Sequence, residues 1–217
     1  MAISTQATPL ARFPSSTLMA SNLKNLLSYQ DISKWQQSNR YLLSGYRAPS
    51  GPALASLASA LHLNNETINI HSHLAGGFVF ALLPIHFHLA FDPPLADAIV
   101  VTIFLEGVAT CFLLSALFHI FDNHSPSVSS FFHHLDHLGI VILIHMPFLW
   151  MAGMAVANLM GALIFATRIP ERWFPRKFDL LGCSHQIFHI AVLVVACLHF
   201  VTLVKASTST RNETCVR

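Results

Sequence analysis

Apolar runs recur along this chain at lengths suited to a bilayer. The first, LAGGFVFALLPIHFHLAF at about residues 74–91, has no Asp, Glu, Lys or Arg, and its Pro84 predicts a bend. The turn DPPLAD separates it from AIVVTIFLEGVATCFLLSALF, at about 98–118. That second run is long enough to cross ~30 Å of hydrocarbon as a helix. The last run opens near His185 and continues through IFHIAVLVVACLHFVTLV to 204. Between them, Leu138 to Thr167 is again free of charge, and as one helix it would extend ~45 Å. One steep span or two short passes broken near Pro147 both satisfy that pattern. Ahead of the apolar runs, residues 1–28 lack periodicity and predict no order. DISKWQQSNRYLLSGYR predicts a short interfacial helix ending in a turn at Gly45. Leu54, Leu57 and Leu61 repeat at helical spacing and predict an amphipathic helix within 53–63.

Composition agrees with this reading. The chain is 53% hydrophobic and 10% charged, against about 25% charged in ordinary soluble domains. A net charge of +2 gives no reason to expect a nucleic-acid partner. Residues 1–30 lack the basic-then-apolar pattern of a secretory leader, so the first spanning helix is expected to direct insertion. Cys111 and Cys197 read as buried small hydrophobes, and no cysteine spacing suggests a disulfide framework.

Charge placement sets an expected orientation. Lys34, Arg40 and Arg47 precede the first span, and Arg168, Arg172, Arg176 and Lys177 follow the third apolar region. Both stretches belong on the cytoplasmic side by the positive-inside rule. Two spans return the chain to that side by Asp122, so 138–167 must then cross an even number of times. Two full passes need about 40 residues, more than this stretch contains. The conflict predicts a broken or re-entrant element there, or an incompletely formed bundle. Overall the pattern predicts an all-α, polytopic membrane protein. Residues 1–34 would form an unstructured cytoplasmic tail, 35–205 the transmembrane domain and 206–217 a short lumenal or extracellular tail.

Among fourteen histidines, a single one carries little signal. His86, His88, His145 and His199 read as packed or interfacial side chains. His124, His133, His134 and His137 read as solvated loop residues, and His71 and His73 as minor ligand candidates near the first span. His185 and His189 differ. Four residues apart at the head of a long apolar helix, they share one face and can reach one ion; the same spacing also suits two stacked core histidines. His119, at the end of the second span, falls at the same expected depth. A centre of His119, His185 and His189 then follows. Two histidines on one helix face cannot sandwich a haem, whereas zinc accepts neutral imidazoles and leaves a position for water. Ser115 lies one turn from His119 on the same face. Asp136 either accepts the water's proton or serves as a helix-start charge. Glu106 lies about 220° around the helix from His119 and should point away.

NRYLLSGYR at 39–47, NNETINIHSHLAG at 64–76, SALFHIFDNHS at 115–125, LDHLGI at 135–140 and TRIPERWFPRKFDLLGCSHQIFH at 167–189 carry a specific resemblance. They resemble the progestin and adiponectin receptor family, grouped with haemolysin-III-related membrane proteins. The resemblance implies a seven-helix fold with a cytoplasmic N-terminus, and zinc near the cytoplasmic boundary on His119, His185 and His189. Ser115 and Asp136 correspond to the residues around the metal-activated water. It also implies ceramidase-type hydrolysis of a lipid amide, or lipid homeostasis. The alternatives are a receptor with structural zinc, or an inactive truncated relative. Membrane lipids, and a sterol, sphingolipid or protein ligand, would be the partners. The plasma membrane, endoplasmic reticulum or Golgi would be the site of residence. Nothing in the pattern sets an oligomeric state. His71 stands where the family has tryptophan, and Arg176 where it often has glycine. About half of the third helix and all of the fourth and fifth have no counterpart.

Overall fold

The computed structural model describes residues 26–144 and 152–215. Six α-helices follow in order: α1 Ala53–Ala60, α2 Thr67–Phe91, α3 Leu95–Phe121, α4 Pro126–Ile144, α5 Ala152–Thr167 and α6 Ser184–Cys215. Among the described residues three of these, α2, α3 and α6, are long and apolar enough to span a membrane. The protein is thus an all-α polytopic membrane protein, with fewer than seven helices among its described residues. α3 is the central helix. Over half of its most apolar window is buried (56%), against 28% for α2 and 22% for α6. The outward faces carry Phe78, Leu82, Ile85, Leu89, Ile99, Ile103, Leu198 and Val201, all exposed. Only a hydrocarbon surround makes so much exposed apolar surface favourable.

Packing explains the close approach of these helices. A Cβ on Gly76 would meet Leu193 and Phe112, and one on Gly77 would meet the Leu113 side chain. These glycines let α2 lie directly against α3 and α6, the use that membrane helices make of small residues. Below this contact Phe80, Phe87, Phe104, Leu105, Val108 and Phe112 form the apolar core. Phe80 and Phe112 meet edge to face at 5.7 Å. Pro84 is accommodated inside α2, buried in that core.

Several sequence expectations need correction. α2 begins at Thr67, seven residues earlier than the apolar run, and its first turns bury Asn69 and His73. The stretch 31–47 forms only a single 3-10 turn, Lys34–Gln36, in place of an interfacial helix. Its amides compete with helix formation: Gln36 donates to the Arg47 carbonyl, and Gln37 to those of Tyr29 and Ile32. Leu27 instead pairs with Tyr46 in an antiparallel bridge. α1 forms, but buries Ser56, Ser59 and Ala60 while Leu54, Leu57 and Leu61 stay exposed. Cys111 is buried as expected, whereas Cys197 is exposed. Helix is present on both sides of 145–151, and the break expected near Pro147 lies outside the described residues. Most of the expected tail 1–34 lies outside them too. α6 continues past the apolar run to Cys215.

Candidate metal centre

His119 lies in the last turn of α3 and His185 in the first turn of α6, with His189 one turn further on. Their Nε2 atoms form a nearly equilateral triangle. His119 to His189 is 3.1 Å, His119 to His185 is 3.3 Å, and His185 to His189 is 3.0 Å. Nitrogens about 2.0–2.1 Å from a tetrahedral zinc stand roughly 3.3 Å apart, so the three rings fit one face of such a site. The fourth position would face away from them.

Glu66, the residue before α2, fixes the state of the first ring. Its Oε2 lies 2.8 Å from His119 Nδ1 and accepts from the Asn69 amide at 2.7 Å. Burial alone would raise this carboxyl, but the His119 and Asn69 donors outweigh it and bring it down to about 2. A carboxylate only accepts, so Nδ1 of His119 carries a proton, and the neutral ring would present its Nε2 lone pair to the other two rings. A carboxylate behind a ligating histidine is the usual outer support of a metal site. His73 is buried and stacks on His189, ring centres 3.8 Å apart, outside the three-nitrogen cluster.

The helix ends that carry these rings are pinned by the polypeptide ahead of α1. The buried Arg47 guanidinium donates to the carbonyls of His119 and Ile120 and to Ser59 Oγ. It satisfies carbonyls that the end of α3 leaves open. Burial works against its charge, and the Glu66 and Asp122 carboxylates support it. At the start of α6, buried Glu171 accepts from the Ser184 backbone N–H at 2.8 Å, from its hydroxyl, and from the Asn39 amide at 3.1 Å. Asp179 accepts from Leu43 N–H and Ser44 Oγ. Gln186 donates to the Asn65 carbonyl at 2.8 Å, joining α6 to the start of α2. Sequence reasoning missed Glu66, Arg47, Glu171 and Asp179. Glu66 alone carries a sequence-level signal, a charge immediately before an apolar helix; the other three lie within connecting segments.

Ser115 is buried one turn before His119. Asp136 lies on α4, partly buried. α4 runs antiparallel to α3, with Phe132 stacked on Phe121 at 4.9 Å and His133 against Phe118 at 5.2 Å. Gly139 lies against Cys111. This register brings Asp136 level with Ser115. Glu106 is exposed, away from the three rings. A cavity of about 480 Å³ opens beside the centre, lined by Glu66, Phe118, His119, His133, Phe165 and His185 among others.

A three-histidine centre at one end of a polytopic helical bundle defines the class of protein. The haemolysin-III-related family model matches residues 61–149 and 145–200, most of the chain, and the protein belongs to that family. It is 26% identical to the adiponectin receptor protein of Drosophila melanogaster, over 79% of this chain and 57% of that protein. With ADIPOR-like receptor IZH2 of Saccharomyces cerevisiae it shares 24% identity over 82% of each chain. A 41-residue stretch, 19% of this chain and 11% of the relative, is 58% identical to heptahelical transmembrane protein 4 of Arabidopsis thaliana. The chain spans little more than half the length of the fly relative. The alignment to the yeast relative runs over 261 positions using 82% of a 217-residue chain, so that relative carries stretches this chain lacks.

Proposed function

We propose that this chain is a zinc-dependent membrane hydrolase of a lipid amide such as ceramide, built on a shortened seven-helix plan. The observation that carries it is the Nε2 triangle of His119, His185 and His189, with Glu66 placing the His119 proton on Nδ1. Zinc on these rings would supply Lewis-acid polarisation of the amide carbonyl and an activated water at neutral pH. Asp136, level with Ser115, would accept the water's proton and return it to the leaving amine. Ser115 would orient the reacting group by a hydrogen bond. The two products are a fatty acid and an amino base.

The family's third helix would be cut to α4, and α5 would stand for its sixth. The family model matching in two pieces that meet at 145–149 supports this reading. Under the positive-inside rule the metal end of the bundle faces the cytoplasm, in the plasma membrane, endoplasmic reticulum or Golgi. Purified protein in detergent should release fatty acid from ceramide, and His189→Ala should not. Equal turnover by the two would sink the hydrolase reading.

A second reading is favoured by the word receptor in the fly and yeast names. Here zinc is structural, and a sterol, sphingolipid or protein ligand acts through the bundle. It gives stoichiometric zinc without turnover. The absent helices favour a third reading, an inactive truncated relative, which would lack both zinc and a protease-resistant core.

A further inference from the structure

The geometry points to a second, exchangeable metal site on α4, formed by His133 and His137, the first of which also lines the cavity beside the three-histidine centre. The two residues stand one turn apart on one face of the helix, with ring centres 4.4 Å apart. His137 Nδ1 lies 2.8 Å from the His133 carbonyl oxygen. A carbonyl can only accept, so Nδ1 of His137 carries the proton and its Nε2 holds the lone pair. This arrangement orients and tautomerises a metal-ligating imidazole in the usual way. Both rings are exposed, so an ion and its remaining waters have room.

One member of the pair also adjoins the three-histidine centre. His133 packs its ring on Phe118, the neighbour of His119. It also lines the same cavity as His119 and His185. Glu66 and Asp122 line the same cavity. Two neutral nitrogens on a helix suit borderline divalent ions such as zinc. With water in the remaining positions, the ion is held loosely and exchanges readily. This site stands on its own residues and does not depend on the hydrolase reading.

The test uses the full chain in detergent, stripped with a chelator and titrated with zinc chloride against a chromophoric competitor. Two classes of site are expected, a tight and a weak one. His137→Gln and His133→Asn, made separately on an exposed surface, should each remove the weak class and leave the tight one. His189→Ala should remove the tight class and leave the weak one. One class in the wild type, insensitive to both α4 substitutions, overturns the proposal, as do two classes unaffected by them. A single class lost in His137→Gln yet kept in His189→Ala supports the α4 site and tells against the three-histidine centre instead.

Discussion

The two ends of the bundle are held by different physics. At the far end α2, α3 and α6 meet through phenylalanines, with Phe80, Phe87 and Phe112 wholly buried. Polar links there include Ser207 donating to Asp97 at 2.7 Å and His88 with Thr102 at 3.1 Å. At the histidine end, Arg47, Glu171, Asp179 and Gln186 tie three helix termini to residues 39–47 and 65. Apolar packing is adaptable and tolerates small shifts. Three nitrogens converging within about 3 Å do not tolerate them, since a ligand set must be held within tenths of an ångström. Directional hydrogen bonds to helix ends supply that precision, and they occur where the ligands are.

The largest test of this contrast is Glu171→Ala. It leaves the Ser184 N–H, the Ser184 hydroxyl and the Asn39 amide without their buried acceptor. We expect a loss of about 3–5 kcal/mol, by analogy with breaking a buried charged hydrogen-bond set, together with loss of tight zinc binding. Phe87→Leu at the other end should cost about 1–2 kcal/mol and leave zinc affinity unchanged. Thermal unfolding in detergent, paired with zinc titration, reads both. If Phe87→Leu weakens zinc as much as Glu171→Ala does, the two ends are not separate and the contrast fails.

Glu66→Gln probes the same end without removing its scaffold. The amide keeps the size of the carboxylate but lets His119 adopt either tautomer. Zinc affinity should fall about 10–100-fold, the usual cost of losing an outer partner, with only a small change in unfolding temperature. Cobalt substituted for zinc gives a visible spectrum that reports ligand geometry. An unaltered affinity and spectrum would remove Glu66 from the centre.

The three ligands were legible because two share a helix turn and the third ends the preceding span, so spacing and apolar run lengths suffice. Their supports were not. Asn39 and Glu171 are 132 residues apart, and Leu43 and Asp179 are 136, and no periodicity reports such pairings. The spans at 98–118 and 185–204 were readable because lipid demands long apolar runs. The start of α2 was not, because its first turns bury Asn69 and His73 beside the histidines. α1 formed where the leucines predicted it, yet with the opposite face inward. Ser59 accepts from Arg47 and Ser56 bonds Ser50, so polar links to the residues ahead of α1 decide its rotation.

The smallest expected effect lies in the connection between α5 and α6. Arg176 adopts φ 69°, the left-handed region that favours glycine, and it occupies the position where the family pattern often has glycine. A non-glycine residue there costs about 1–2 kcal/mol, while glycine loses about 0.5–1 kcal/mol more conformational entropy on folding. Arg176→Gly should therefore stabilise by roughly 0.5–1 kcal/mol, visible as a small rise in unfolding temperature. Arg176→Ala separates backbone strain from charge, because alanine retains the left-handed cost while removing the guanidinium beside Arg172 and Lys177. If alanine raises the unfolding temperature as much as glycine does, relief of charge repulsion and not of backbone strain is the cause. Zinc affinity should remain unchanged in both variants, since the turn at 176 lies between Glu171 and Asp179 without bonding to either helix end.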